Sequence, residues 1–179
     1  MSRFETAQPR ALVSRLQQAY KAHGVAKGDR VAAMMPNMPE TIAHMLAVSS
    51  LGAIWSSCSP DFGIQGVVDR FGQIEPKIFV ACDGYWYNGK RQEVADKLGP
   101  IVDQIAPQAV VIVPLLGQAD AIADGVGKAV TQDRFIADYE ARELTFERVP
   151  FSHPLYILFS SGTTGIPKCI VHSAGGTLL

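Results

Sequence analysis

Apolar residues along this chain occur in two patterns, short continuous runs and stripes at helical spacing. Runs of four or five mainly apolar residues are typical of buried strands, and they occur at 31–35, 53–56, 78–81, 109–113 and 155–159. Stripes at helical spacing predict helices over 11–20, 37–51, 64–74 and 92–105, and the segment 119–139 predicts helical pieces and loop. This alternation predicts an α/β domain with a mostly parallel sheet flanked by helices.

Local signals mark the ends of several of these elements. Gly24 follows the first helical stripe, where a glycine commonly ends a helix. Asn37, with Glu40 three residues later, predicts a capping box at the start of the second helix. Near the end of the chain, Ser173 is placed to cap a helix that begins at 175–176.

The most informative segment joins the run at 155–159 to a second apolar run at 169–171. Glycines let backbone N–H groups approach phosphate, hydroxyls add donors, and lysine supplies a positive charge, so the segment is predicted to bind polyanionic oxygens. It differs from a Walker A loop because Pro167 precedes the lysine and Cys169 follows it. A Ser/Thr-rich linker is the alternative interpretation. The residues are Ser160, Ser161, Gly162, Thr163, Thr164, Gly165, Ile166, Pro167 and Lys168.

Other motifs in the chain give weaker signals. The stretch 84–90 has the glycine and lysine spacing of a P-loop, but Arg91 follows Lys90, and a turn after a strand is the better interpretation. The stretch 125–130 begins like a dinucleotide fingerprint and lacks its third glycine. The four histidines show no metal-ligand spacing, and no Gly-x-Ser-x-Gly elbow is present.

Composition excludes several classes of partner. A net charge of −1 gives no reason to expect nucleic acid or an anionic membrane as a partner. Three widely spaced cysteines fit reduced thiols in a cytoplasmic protein better than a disulfide framework or a zinc site. The segment 41–60 carries no charged residue, but its five serines and Pro60 predict a helix, a turn and a strand rather than a membrane span.

The phosphate-binding segment resembles that of the adenylate-forming superfamily, which includes acyl-CoA synthetases, luciferases and peptide-synthetase adenylation domains. Other stretches resemble one family within it, the acetoacetyl-CoA synthetases (acetoacetate–CoA ligases). The resemblance runs from about Gly24 to the last residue and is weakest between 92 and 147. The stretches that carry it are 28–32, 35–40, 52–63, 68–71, 73–77, 83–85, 159–168 and 170–172.

This resemblance implies an ATP-dependent ligase that forms acetoacetyl-CoA from acetoacetate and CoA through an acyl-adenylate, with Mg²⁺ carried by ATP. Thr164 and Lys168 are expected to take part in catalysis, and His172 is expected close to the acyl-adenylate. Lys90 and Arg91 are candidates for contact with the CoA nucleotide. The residues expected to bind the ATP phosphates are Ser160, Ser161, Gly162, Thr163, Thr164, Gly165 and Lys168.

By the same resemblance, residues 1–179 are expected to form a single partial AMP-binding domain, the N-terminal part of a synthetase. The family's adenine, ribose and Mg²⁺ ligands lie further downstream, so the rest of a synthetase chain is expected as a partner and these residues alone are expected to be inactive. The expected substrates are small molecules, with no nucleic acid or membrane partner and a cytoplasmic location. Two alternatives are a truncated, non-catalytic nucleotide-binding module and a synthetase for another short-chain carboxylic acid.

Overall fold

A computed structural model describes residues 7–160 and 165–179 of the chain. The helices in this part are α1 (Ala7–Ala22), α2 (Pro39–Ser50), α3 (Ile64–Phe71), α4 (Ala95–Ile105), α5 (Ala119–Gly125), α6 (Gln132–Phe135) and α7 (Ala174–Leu178). The strands are β1 (Arg30–Met34), β2 (Ile54–Cys58), β3 (Ile78–Cys82), β4 (Tyr85–Tyr87), β5 (Lys90–Gln92), β6 (Ala109–Val113), β7 (Ala129–Thr131), β8 (Pro154–Ser160) and β9 (Lys168–Ser173).

Seven of these strands form one sheet in the order β7-β6-β3-β1-β2-β8-β9. All neighbours in this sheet are parallel except β8 and β9, which form an antiparallel hairpin at its edge. Strands β4 and β5 pair separately as a small antiparallel hairpin. The predicted class, a mostly parallel sheet flanked by helices, is confirmed.

The central strands β1, β3 and β6 are buried on both faces of the sheet, which explains their continuous apolar runs. On one face, alternate strand residues such as Val31 and Val80 pack against side chains of α1, α2 and α6. On the other face, residues such as Ala32 and Phe79 pack against α3, α4 and α5. We refer to these as the α1 face and the α3 face.

The connection at 136–153 carries the chain from α6 to β8 as an extended strap across α1. Ser14, Arg15, Gln17 and Gln18 of α1 donate hydrogen bonds of 2.6–3.0 Å to its backbone carbonyls. These side chains replace the backbone partners that an extended segment outside a sheet would otherwise lack. The strap therefore needs no secondary structure of its own to hold β8 in place.

The predicted capping box at Asn37 and Glu40 is wrong. Helix α2 has Met38 as its N-cap residue, without a side-chain cap hydrogen bond, and begins with a proline, whose fixed φ suits the first helical position. The hydroxyl of Thr41 instead donates to the carbonyl of Pro36 at 2.7 Å. This turn fixes the start of the helix.

Other predicted ends agree with the structure or differ slightly. Gly24 follows α1 with a φ of 75°, the left-handed conformation that glycine adopts easily, and the predicted glycine cap is confirmed. Ser173 caps α7 by accepting a hydrogen bond of 3.1 Å from the backbone N–H of Gly176, and the helix begins one residue earlier than predicted. Strand β7 was missed because its three residues lie between two short helices in a region without a clear period.

Candidate functional site

The predicted phosphate-binding segment connects the two strands of the edge hairpin. Strand β8 runs parallel to β2, with Trp55 opposite Tyr156 and Ser56 opposite Ile157. The buried hydroxyl of Ser56 also donates to the carbonyl of Ile157 at 2.8 Å. The segment therefore begins at the carboxyl end of a strand, the end of a parallel sheet at which ligands bind in open α/β folds.

Four of the predicted phosphate contacts, Ser161, Gly162, Thr163 and Thr164, lie outside the described residues. The described part of the segment consists of its first residue and its second half. Gly165 has a φ of 93°, which a residue with a side chain would adopt only with strain. Pro167 is buried, and Lys168 is exposed at the start of β9. The lysine charge thus faces solvent at the end of the segment.

Cross-strand pairing places three of the predicted site residues on one side of the hairpin. Ser160 lies opposite Lys168, Leu158 opposite Ile170, and Tyr156 opposite His172. Residues directly opposite share a face, and so do alternate pairs along the ladder. Since Tyr156 packs against the core on the α1 face, Ser160, Lys168 and His172 all project on this side, which we call the ladder face. Spacing along β9 separates Lys168 from His172 by about 13 Å between Cα atoms.

Tyr156 and His172 form a stacked pair on the ladder face. Their ring centroids lie 4.7 Å apart with an interplanar angle of 21°. The imidazole is half-buried, and its distance from Lys168 along the strand means that it contributes to a different part of the face. The structure thus brings Ser160 and Lys168 together and holds His172 apart from them.

A cavity of about 430 Å³ lies at the carboxyl ends of β1 and β2. It lies beside Trp55, the residue next to Tyr156 across the parallel pair, and so adjoins the ladder face. Burial raises the pKa of Cys58 in its wall to about 12, so the thiol is neutral near pH 7 and a poor nucleophile. The space has mixed polar and apolar walls that include Met35, Thr41, Met45, Trp55, Ser57 and Cys58.

The predicted CoA contacts lie on the separate hairpin of β4 and β5. Lys90 pairs with Tyr87 and Arg91 with Trp86, and both aromatic side chains are more than 60% exposed. Arg91 also forms an ion pair of 3.3 Å with Glu93. The turn predicted for 84–90 is therefore the tip of a hairpin that presents two cations beside two exposed aromatic rings.

Sequence reasoning missed the function of Asp83, which supports this hairpin. Its fully buried carboxylate accepts backbone hydrogen bonds of 2.7 Å from Leu115 and 2.8 Å from both Leu116 and Gln118. Asp83 thereby ties the turn after β6 to the segment that leads into the hairpin. A β-carbon on Gly84, which follows, would collide with Leu116.

The described residues contain no cluster of three or more His, Cys, Asp or Glu side chains suited to holding a metal ion. Among the same residues, no helix is long and apolar enough to cross a membrane.

A family model described as "AMP-binding enzyme" matches residues 6–179. The chain therefore belongs to the AMP-binding enzyme family. Within this family it is similar to acetoacetyl-coenzyme A synthetase of Rhizobium meliloti (strain 1021), with 68% identity over 95% of the chain and 26% of the relative.

Two further relatives broaden this comparison. The structure of acetoacetyl-CoA synthetase from Streptomyces lividans matches with a TM-score of 0.87 and 39% identity, over 96% of this chain and 26% of that one. Malonamoyl-CoA synthetase of Penicillium aethiopicum is 41% identical over 95% of this chain and 24% of its own length. The chain spans about a quarter of the length of the relatives it matches.

Proposed function

We propose that this chain contributes part of the N-terminal AMP-binding domain, residues 1–179, to an ATP-dependent acetoacetate–CoA ligase. The observation that carries the proposal is 68% identity, over 95% of the chain, to a relative named as an acetoacetyl-CoA synthetase. The position of the segment 160–168, between β8 and β9 at the carboxyl end of a parallel sheet, supports the same proposal. Acetoacetate, MgATP and CoA are the proposed substrates.

In the first half-reaction, the acetoacetate carboxylate attacks the α-phosphorus of MgATP. The bond to the bridging oxygen of pyrophosphate breaks, giving acetoacetyl-adenylate. Negative charge grows on the leaving pyrophosphate, and donors fixed around it stabilise the transition state. Lys168 supplies a cation, with Ser160 directly across the ladder from it. The further phosphate donors are Ser161, Gly162, Thr163, Thr164 and Gly165.

In the second half-reaction, the CoA thiol attacks the acyl carbon of the adenylate, the proton of the thiol is lost, and AMP leaves. Lys90 and Arg91 lie on an exposed hairpin, and we assign them to contact with the CoA nucleotide. His172 stacks on Tyr156 on the ladder face, and we assign it to the neighbourhood of the acyl-adenylate. These roles involve three separate places on the chain, as expected for a reaction with three substrates.

The proposed role of the segment 160–168 is tested by Lys168→Ala and Thr164→Ala in the full-length protein that contains this sequence. Loss of one fixed donor to developing charge costs about 2.7–4 kcal/mol, which corresponds to about 100- to 1,000-fold in rate. Acetoacetate-dependent ATP–pyrophosphate exchange measures this step. Lys128→Ala is the matched control. Lys128 donates to the carbonyl of Pro107 near β7, at the opposite edge of the sheet from β9. Exchange at the unaltered rate in both test variants would contradict the role.

A synthetase for another short-chain acid is the second candidate function. The observation that favours it is the 41% identity to a relative named as a malonamoyl-CoA synthetase. Specificity constants for acetoacetate, acetate, propionate and malonamate decide between the two. We expect acetoacetate to have the highest value, and a higher value for any of the other acids would overturn the assignment of substrate.

A further inference from the structure

Gln73, just beyond the end of α3, contacts the exit from the predicted phosphate-binding segment on both sides of Lys168. Its side-chain amide donates a hydrogen bond of 2.9 Å to the carbonyl of Pro167. The thiol of Cys169 lies 3.6 Å from its Oε1. Within residues 7–160 and 165–179, no other side chain from outside the hairpin hydrogen bonds to residues 165–172.

Both polar atoms of the Gln73 amide have hydrogen-bond partners. The Nε2 group donates to the carbonyl of Asp69 at 2.6 Å as well as to Pro167, and Oε1 accepts from the Cys169 thiol. A primary amide has two N–H donors and one carbonyl acceptor, so this arrangement fixes its orientation. Gln73 therefore contacts both the carbonyl of residue 167 and the side chain of residue 169.

The base of this contact is rigid. Phe71, two residues earlier, is fully buried and packs edge-to-face against Phe79 in β3, with ring centroids 6.0 Å apart. Its ring also lies 6.3 Å from that of Phe159 in β8. The end of α3 is thus anchored in the core beside β3 and β8, and the Gln73 side chain extends from it to Cys169 in β9.

The contacts of Gln73 determine the face of the hairpin on which Lys168 projects. Cys169 lies opposite Phe159, which packs on the α3 face, and its thiol meets Gln73 there. Side chains alternate along a strand, so Lys168 must project to the opposite side, onto the ladder face with Ser160. Because Gln73 holds residues 167 and 169 from the α3 face, it sets the position of Lys168 without contacting the lysine itself.

We propose that Gln73 is a positioning residue for the predicted phosphate-binding segment. It fixes β9, the exit strand of this segment, so that Lys168 is held on the ladder face, toward the ATP phosphates. This inference rests on the proposed function. It assigns Gln73 to the adenylation half-reaction alone, because transfer of the acyl group to CoA takes place after pyrophosphate has left. A residue that merely stabilised the fold would affect both half-reactions equally.

The test uses Gln73→Met, which keeps the length of the side chain and removes its hydrogen bonds. Gln65→Met is the matched control, because Gln65 is exposed on α3 and its amide donates to the Asp69 carboxylate rather than to the hairpin. Both changes are made in the full-length protein. Alternatively, residues 1–179 replace the corresponding residues of the Rhizobium meliloti synthetase, and the changes are made in that protein. Two rates are measured: acetoacetate-dependent ATP–pyrophosphate exchange, and acetoacetyl-CoA formation from freshly prepared acetoacetyl-adenylate and CoA.

We expect Gln73→Met to lower kcat/KM for MgATP in the exchange reaction about tenfold, the effect of losing one to two net hydrogen bonds. Acetoacetyl-CoA formation from the adenylate should stay within about twofold, and Gln65→Met should change neither rate. Gln73→Glu should resemble Gln73→Met or be slower, because it places a carboxylate against two carbonyl oxygens. Unchanged exchange in Gln73→Met, or an equal loss in both half-reactions, would overturn the proposal.

Amide hydrogen exchange separates this inference from the proposed function. Peptides covering 165–172 should exchange several-fold faster in Gln73→Met than in Gln65→Met. If the unaltered protein catalyses no acetoacetate-dependent exchange, the proposed function fails, and the hydrogen-exchange comparison still decides whether Gln73 holds the exit strand. Equal hydrogen exchange in the two variants would refute that contact.

Discussion

His44 is fully buried in α2 and joins three helices through its ring nitrogens. Its Nδ1 lies 2.5 Å from the hydroxyl of Tyr20 in α1, and its Nε2 lies 2.9 Å from Oε1 of Gln132 in α6. A carboxamide oxygen only accepts, so Nε2 carries the ring proton and Nδ1 accepts from the tyrosine hydroxyl. The neutral imidazole satisfies both contacts, and a second proton would add a buried charge.

This burial makes the stability of the fold dependent on pH. Burial lowers the pKa of His44 from its ordinary value of 6.5 to about 4. Because the unfolded chain binds the proton at the higher pKa, the stabilising contribution is complete above about pH 6.5 and is lost as the pH falls toward 4. Between pH 7.5 and pH 5.0 the free energy of unfolding should fall by about 2 kcal/mol from this residue alone.

Urea unfolding at the two pH values measures this loss, with the fluorescence of the buried Trp55 as the signal. The experiment uses the 179-residue chain at low concentration, or hydrogen exchange of α2 amides in the full-length protein if the chain aggregates. His44→Gln should abolish about 2 kcal/mol of the pH dependence, and substitution of the exposed His23, just beyond the end of α1, by Gln should retain it. The same pH dependence in both variants would refute the reasoning.

Three other features of the fold can be tested by single substitutions. Asp83→Ala removes the acceptor of three backbone N–H groups and should lower the free energy of unfolding by about 3 kcal/mol or more in urea titrations. Substitution of the exposed Asp138 by Ala should change this free energy little. Equal effects of the two substitutions would argue against the role of Asp83 in supporting the hairpin. Gly175→Ala would place a β-carbon into the ring of Phe151 and should cost about 1–3 kcal/mol, seen as a lower Tm. Val171→Lys on the edge strand β9, where the valine is 56% exposed, should reduce aggregation of the 179-residue chain in light scattering, and unchanged scattering would exclude this strand as the aggregating surface.

Sequence by itself determined the fold class and most of its elements. Continuous apolar runs identify the strands of a doubly covered sheet because burial on both faces removes the alternation that would otherwise be seen. The strand at 109–113 was predicted with the bounds that β6 has. The glycines, hydroxyls and lysine of 160–168 predicted a phosphate-binding segment because these residue types act through local chemistry. The capping box failed because Asn37 and Glu40 matched a local pattern that Met38 and the proline after it overrode.

Only the tertiary structure decided which of these residues lie together. The register of β8 against β9 places Ser160, Lys168 and His172 on one face and separates His172 from the lysine, and register depends on long-range pairing rather than on local sequence. Gln73 and Pro167 are 94 residues apart along the chain, and Asp83 meets a turn more than 30 residues away. A lone glutamine or aspartate carries no sequence signal for such contacts, because their effect depends on the distant backbone groups that folding brings to them.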